Sequence, residues 1–297
     1  MTNVLEPNNI TSTALVIEGG GMRGAYTSGL LSVLLEEHIY FSYVCGLSAG
    51  ASCAVNYVAR DLERMRRGFV DVADDPRAGG PKSLLTGRGY FDSEYLYNAA
   101  NLQATIPLDW ETFKANPAIL RIQSFERDTG RTVVWGRKHM QTLQDTLDVV
   151  RASSTMPGLM NPLEIDGQVM YDGGLGVGAG IPLHIAQDDG QTRFFVVASR
   201  PEGYVKPAMQ GMQHSAVGHM FGNYPFLRDA ILTRAQRYNA AMEHLAKLEQ
   251  EGRAFVVRPL NMRISNTTLN REELAEAFEL GREQGVMQLD AWKEFLL

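Results

Sequence analysis

Short apolar runs and helical spacing alternate along the first third of the chain. Residues 14–17 form a continuous apolar run, which predicts a short buried strand. A glycine-rich break follows, and residues 25–37 then carry apolar side chains at the spacing of a helix. The same order repeats, with a predicted strand over 41–46 and a predicted helix from about 49 to 69. This β-α-β-α order indicates a parallel sheet with crossover helices.

Two segments in the middle of the chain predict β-hairpins. Residues 118–136 contain two β-like runs around an Asp-x-Gly turn. Residues 163–174 contain two more around Asp166-Gly167, a dipeptide that strongly favours a tight hairpin turn. We therefore expect antiparallel strands beside the parallel ones.

The last part of the chain continues the mixed pattern. Residues 192–200 and 253–260 are apolar and predict two more strands, with a helical stretch between them. The final residues, about 25 of them, are also helical in pattern. No internal repeat or convincing domain boundary is visible. We therefore expect an α/β fold in a single domain over residues 1–297.

Composition and charge exclude several classes of protein. With 297 residues, 44% hydrophobic and 21% charged, the chain has the composition of a globular protein. Its net charge of −6 argues against nucleic acid as a partner and against strong attraction to anionic lipid, so that any transient membrane contact would be apolar. The first residues lack the regions of a signal peptide, which predicts a cytoplasmic protein. Cys45 and Cys53 have no zinc-like spacing, and we expect reduced, buried thiols. No feature of the sequence indicates an oligomeric state.

The glycine-rich break has the form of a phosphate-binding loop. Gly19, Gly21 and Gly24 fit the pattern G-x-G-x-x-G between a strand and a helix, as in dinucleotide-binding proteins. Such proteins carry an acidic residue at the end of the next strand to hold the ribose. That strand end reads YVCGLSAG and has no carboxylate. A nucleotide-binding function stays open, but this feature argues against it, and no cofactor is predicted.

A second glycine motif stands at the end of the second predicted strand. Gly46-Leu47-Ser48-Ala49-Gly50 is a G-x-S-x-G pentapeptide between a strand and a helix. A turn this sharp strains the backbone of its central residue and lifts Ser48 clear of the sheet as a candidate nucleophile. The alternative is a tight turn in which the serine caps a helix.

A nucleophilic serine needs a base, and the histidines do not supply an obvious one. His184 is the least unsuitable of the six. Asp172 follows a predicted strand directly and precedes Gly173 and Gly174, which leave room for another segment to approach. A carboxylate there could take the serine proton, although an ordinary turn aspartate is the alternative. His214 and His219 are five residues apart and do not share a helix face, so no metal site is predicted.

The three elements in this order resemble the patatin-like phospholipase family. They are the glycine loop over residues 19–24, the pentapeptide around Ser48, and Asp172-Gly173-Gly174. The stretch ASSTMPG, residues 152–158, is also similar to a Ser-x-x-x-Pro segment of that family. The resemblance runs from about residue 14 to 183, and residues 184–297 would complete the same domain.

The resemblance implies a three-layer fold with a mainly parallel central sheet, helices on both faces and added β-hairpins. It also implies lipid acyl ester hydrolysis through a Ser-Asp dyad, with Ser48 as nucleophile and Asp172 as general base. The oxyanion hole would be formed by backbone N–H groups from about Gly20, Gly21 and Met22. Arg23, which matches the basic residue of the family loop, would shape this loop.

Two positions depart from the commonest form of the family pattern. Glu18 stands where many members have aspartate, which would alter how the loop is anchored, and Gly174 replaces a frequent alanine. Neither change touches the dyad. A catalytically silent adaptor with the same fold remains an alternative to the hydrolase.

The substrate is less well defined by the sequence. Four apolar side chains in one segment could form an adaptable wall for an acyl chain, although a loop packed onto the core explains them equally well. They are Met209, Met212, Met220 and Phe221.

Overall fold

The computed structural model describes residues 5–297, and a single mixed sheet forms its centre. The strands are β1 (Ala14–Ile17), β2 (Tyr43–Leu47), β3 (Ile119–Glu126), β4 (Thr132–Trp135), β5 (Leu163–Ile165), β6 (Gln168–Asp172), β7 (Phe194–Val197) and β8 (Ala254–Val257). Their order is β5-β6-β3-β2-β1-β7-β8, with β4 paired to β3.

Thirteen α-helices surround the sheet within the described residues. They are α1 (Gly24–Glu36), α2 (Ala49–Val58), α3 (Leu62–Arg67), α4 (Pro81–Leu85), α5 (Ser93–Leu96), α6 (Ala99–Thr105), α7 (Trp110–Ala115), α8 (Leu143–Ser154), α9 (Leu183–Asp188), α10 (Gly211–Met220), α11 (Pro225–Leu232), α12 (Arg234–Gln250) and α13 (Arg271–Leu296). None of these helices is both long and apolar enough to cross a membrane.

Strands β3, β2, β1, β7 and β8 run parallel, as the β-α-β-α pattern predicted. The two predicted hairpins are the antiparallel pairs β3–β4 and β5–β6. At the second hairpin, Asp166 and Gly167 have φ values of 52° and 75°, the left-handed conformation that an Asp-Gly turn favours. The predicted α/β class with a mainly parallel sheet and added hairpins is confirmed.

Alternate residues of the central strands are buried on opposite faces, which produces three layers. In β1, Leu15 and Ile17 pack into the larger apolar core together with residues of α1, α2 and α13. Ala14 and Val16 face a second core formed with residues of α9 and α12. A strand covered on both faces reads as a continuous apolar run, which explains the sequence of residues 14–17.

The helix predicted over 49–69 is in fact two helices. Arg60 has a φ of 53°, which ends the first helix, and the side chain of Asp61 accepts a hydrogen bond from the Arg64 N–H at the start of α3. The carboxylate therefore caps a new helix that starts at Leu62. Hydrophobic spacing alone did not reveal this break.

The C-terminal part of the chain is packed into the same body. Strand β8 extends the central sheet beside β7, and α13 lies against α1. At this helix crossing a Cβ atom built on Gly29 would lie 2.0 Å from the Phe278 carbonyl oxygen, and one built on Gly281 would lie 2.2 Å from that of Tyr26. Glycine on both helices therefore allows their backbones to touch.

Candidate active site

Ser48 stands at the sharp turn between β2 and α2. Its φ of 54° and ψ of −129° are strained for a residue with a side chain, and the side chain makes no capping hydrogen bond to α2. A Cβ on Gly46 would lie 2.3 Å from the Gly50 carbonyl oxygen, and one on Gly50 would lie 2.5 Å from that of Ile17. Both glycines are therefore required by close backbone approach, and the capping role considered for Ser48 is not observed.

Asp172 ends β6 and faces Ser48. The Ser48 hydroxyl donates a hydrogen bond of 2.6 Å to Asp172 Oδ2. The other carboxylate oxygen, Oδ1, accepts the Gly174 N–H at 2.7 Å, and the Asp172 N–H donates to the Thr155 carbonyl at 2.8 Å. These contacts hold the carboxylate in a single orientation towards the serine.

Burial governs the protonation of Asp172. The side chain is almost fully enclosed, and desolvation raises its pKa above the usual aspartate range. The positive charge of Arg234 and the hydrogen bonds from Ser48 and Gly174 act in the opposite direction. The net shift is upward, which brings the basicity of this carboxylate closer to that needed for general base catalysis near neutral pH.

The glycine loop lies beside Ser48 with two uncommitted donors. Within residues 5–297 the N–H groups of Gly20 and Gly21 have no hydrogen-bond acceptor. The Met22 N–H, which the resemblance placed among the oxyanion donors, donates instead to the Asn266 carbonyl at 3.1 Å. The Arg23 N–H is directed at the Gly20 carbonyl at 3.3 Å. In this conformation only Gly20 and Gly21 offer free donors.

Glu18 anchors the loop to the C-terminal half of the chain. Its Oε2 atom accepts the Ser199 N–H at 2.6 Å, and its Oε1 atom accepts the Tyr238 hydroxyl of α12 at 2.9 Å. The Ser199 hydroxyl also donates to the Gly19 carbonyl at 2.8 Å. The Glu18 side chain thus connects the glycine loop to the segment after β7 and to α12.

Sequence reasoning missed the part played by Ser153. Its hydroxyl accepts the Ser48 N–H at 2.7 Å and donates to the Gln123 carbonyl at 2.6 Å, which connects the Ser48 turn to β3. Ser153 is the serine of the Ser-x-x-x-Pro segment, so the signal was present although its role was not. Arg234 and Asn266 were also missed, since they come from parts of the chain without a motif.

An apolar cavity of about 670 Å³ opens at Ser48. Apolar side chains that line it include Met22, Phe69, Leu96, Leu102, Met156 and Met160. None of the four side chains considered for an acyl-chain wall lines this cavity; they are Met209, Met212, Met220 and Phe221. Helix α10 has no buried residue, and Met212 and Met220 are 86% and 63% exposed.

The other candidate side chains make no hydrogen bond to Ser48 or Asp172 within residues 5–297. His184 is near the start of α9 and lines neither of the cavities at Ser48, and burial lowers its pKa. Cys45 and Cys53 are buried free thiols as predicted, and burial raises the pKa of Cys53 to about 12. Within residues 5–297 no three His, Cys, Asp or Glu side chains are grouped to hold a metal ion.

The chain is similar to several known proteins. It is 25% identical over 201 residues to the uncharacterized protein YjjU of Escherichia coli K12, covering 66% of this chain and 54% of that protein. It is 29% identical over 104 residues to the triacylglycerol lipase ptl3 of Schizosaccharomyces pombe, covering 33% of this chain and 22% of the lipase. The chain thus spans about half or less of the length of these curated relatives.

A solved structure and two family models complete the comparison. The structure of VipD from Legionella pneumophila matches with a TM-score of 0.51 and 14% identity, covering 94% of this chain and 67% of that one, which shows similarity of fold alone. The model of DUF6363, a domain of unknown function, matches residues 224–297. The model of the patatin-like phospholipases matches residues 15–186, which hold the glycine loop, Ser48 and Asp172. Since that match covers more than half of the sequence, this chain belongs to the patatin-like phospholipase family.

Proposed function

We propose that the protein is a serine acyl hydrolase that cleaves carboxylic ester bonds of lipids, as a phospholipase A or a lysophospholipase does. The observation that carries the proposal is the 2.6 Å hydrogen bond from the Ser48 hydroxyl to the buried carboxylate of Asp172. A serine at a strained turn, in contact with a buried base, is the usual arrangement of an activated nucleophile. The family and the lipase relative support a lipid ester as substrate.

The reaction begins when Ser48 Oγ attacks the ester carbonyl carbon and its proton passes to Asp172 Oδ2. The carbonyl oxygen becomes an oxyanion, which the Gly20 and Gly21 N–H groups stabilise. Loss of one such donor in a serine hydrolase typically costs about 10² to 10³ in rate, so these two groups would supply much of the catalysis.

The tetrahedral intermediate then collapses. The bond from the carbonyl carbon to the alcohol oxygen breaks, the departing alcohol takes the proton held by Asp172, and an acyl-enzyme on Ser48 remains. A water molecule repeats the sequence, with Asp172 again as base, and releases the fatty acid. The apolar cavity at Ser48 has the size and lining to hold the acyl chain during both halves of the reaction.

Labelling with a fluorophosphonate probe, followed by mass spectrometry, tests this proposal. We expect an adduct on Ser48 that is absent from the Ser48→Ala variant. Ser52→Ala is the matched control, because Ser52 lines the same cavity and should not affect labelling of Ser48. Absence of an adduct on folded wild-type protein would favour the silent adaptor instead.

We also infer that residues 184–297 belong to the same functional unit as the motif-bearing part. Strand β8 extends the central sheet, and Arg234 and Asn266 line a cavity at the dyad. Truncation after residue 223 should therefore give an insoluble or unfolded protein. A soluble truncated chain with fluorophosphonate reactivity at Ser48 would contradict this inference.

A further inference from the structure

A second, smaller cavity also opens at Ser48, and it shares Gly21 and Met156 with the apolar cavity. Its volume is about 130 Å³, and Ser48 and Asp172 form part of its wall, as they would for the alcohol side of a scissile ester. Residues of the glycine loop and Asn266 also line it. We call it the cationic cavity, because four basic side chains line it: Arg23, Arg200, Lys206 and Arg234.

The four cations come from separate elements. Arg23 belongs to the glycine loop, Arg200 follows β7, Lys206 lies in the loop beyond it, and Arg234 begins α12. Within residues 5–297 none of them forms an ion pair with a carboxylate within 4.0 Å. The Nε atom of Arg23 is buried and has no hydrogen-bond partner there. The four cations are therefore held without a direct ion pair, and the charged groups of Arg200 and Lys206 lie instead over the Tyr204 ring.

The acidic residues of this cavity do not neutralise it. The Glu18 oxygens are engaged by the Ser199 N–H and the Tyr238 hydroxyl, and Asp172 is engaged by Ser48 and Gly174. Four cations thus face two carboxylates, so positive charge is in excess in this cavity. Cations this close repel one another, and an anion between them would offset the repulsion.

The pKa values of these cations agree with such crowding. Burial lowers the pKa of Lys206 to about 8, and the charges of Arg234, Arg200 and Arg23 act in the same direction. Burial, followed by the charge of Arg200, lowers the pKa of Arg23 to about 10. Side chains whose pKa values are shifted by desolvation and by neighbouring like charges are typical of ligand sites.

We propose that the cationic cavity binds a phosphate monoester on the alcohol side of the substrate, while the apolar cavity holds the acyl chain. This inference rests on the proposed acyl hydrolase function. Three guanidinium groups and an ammonium group suit the doubly charged, three-oxygen terminus of a monoester. A choline or ethanolamine head group would instead bring a cation against these basic walls. The substrate class is therefore an acylated alcohol with a terminal phosphate.

Three substrates in the same mixed detergent micelles test the proposal: monooleoylglycerol phosphate, monooleoyl glycerophosphocholine and monooleoylglycerol. We expect the largest kcat/KM for the phosphate monoester. Arg200→Gln and Lys206→Gln should each reduce the ratio of kcat/KM for the phosphate monoester to that for monooleoylglycerol by about tenfold or more. We chose Arg200 and Lys206 because a substitution of Arg23 would change the glycine loop, and a substitution of Arg234 would change the pKa of Asp172. The control is Arg228→Gln, at an exposed ion pair with Asp229.

Inorganic phosphate provides a second readout. It should inhibit hydrolysis of monooleoylglycerol competitively, with a Ki that rises about tenfold in Arg200→Gln or Lys206→Gln and stays unchanged in Arg228→Gln. Phosphate could inhibit the enzyme, and the variants could weaken this inhibition, while kcat/KM is equal for the three substrates. The cavity would then bind free phosphate, and the substrate assignment would be overturned.

Equal kcat/KM for the three substrates, or a ratio unchanged in both variants, would also overturn the proposal. If monooleoylglycerol were hydrolysed in that case, only the phosphate site would be refuted, and the proposed acyl hydrolase function would be supported. Failure of the wild type to hydrolyse any ester or to react with a fluorophosphonate would refute both.

Discussion

The hydroxyl oxygen of Ser48 lies 2.6 Å from the Oδ2 atom of Asp172, although the two residues are 124 positions apart in the chain. The serine follows a parallel strand near the centre of the sheet, and the aspartate ends an antiparallel strand towards one edge. Strand β3 lies between β2 and β6 and brings their ends together. Several tests of this arrangement follow from its contacts.

Asp172→Asn should remove activity without loss of stability. The neutral amide cannot accept the serine proton, so kcat should fall by about 10³-fold or more. Burial raises the pKa of the native carboxyl, so the wild type loses stability as pH rises from the unfolded pKa, about 3.9, through the folded pKa. Asparagine does not ionise, and its Oδ1 can still accept the Gly174 N–H.

Thermal unfolding of both proteins across pH measures this effect. The melting temperature of Asp172→Asn should equal or exceed that of the wild type at pH values near neutrality, and the advantage should disappear under acidic conditions. A lower melting temperature at neutral pH would show that the carboxylate stabilises the fold.

Arg234→Gln should change the pH profile of the reaction. The Arg234 charge lowers the pKa of Asp172 against the larger effect of burial, so its removal should raise that pKa further. The acidic limb of kcat/KM, measured with an uncharged ester, should therefore move to higher pH. Arg228→Gln serves as the control and should leave the limb in place. A shift to lower pH would contradict the assignment of Asp172 as the base.

Ser153→Ala should weaken both the fold and the reaction. It removes the acceptor of the Ser48 N–H and the donor to the Gln123 carbonyl, and each buried group left unpaired costs about 1–3 kcal/mol. Ser154→Ala is the matched control, since within residues 5–297 the Ser154 hydroxyl makes no hydrogen bond to the Ser48 turn or to β3. Urea unfolding should give a smaller free energy of unfolding for Ser153→Ala than for Ser154→Ala, and kcat should also be lower for Ser153→Ala. Equal effects would argue against a positioning role for Ser153.

Gly281→Ala should destabilise the packing of α13 on α1. The new methyl group would meet the Tyr26 carbonyl oxygen at 2.2 Å, and backbone atoms cannot move aside as a side chain can. We expect a loss at or above the upper end of the roughly 1–3 kcal/mol typical of overpacking. In α10, a Cβ on Gly218 would meet nothing within 4 Å, so Gly218→Ala should be neutral or stabilising by up to about 1 kcal/mol. Similar melting temperatures for the two variants would contradict the observed helix crossing.

Much of this protein follows from local sequence. The continuous apolar run at residues 14–17, the Asp166-Gly167 turn and the glycines around Ser48 predicted a buried strand, a hairpin and a sharp strand-to-helix turn, because each depends on the conformations available to a few neighbouring residues. The residues proposed as nucleophile and base were found in the same way, since both stand at strand ends flanked by glycine.

Contacts between distant segments were decided only by the tertiary structure. The Asn266 carbonyl accepts the Met22 N–H, and Arg200, Lys206 and Arg234 converge on one small cavity. Asn266 and the three basic residues belong to no recognisable local pattern. The cavity proposed for the acyl chain is likewise not lined by the methionines of α10. Local sequence limits backbone conformation, whereas the position of a long side chain or a loop carbonyl depends on how layers separated by many residues pack together.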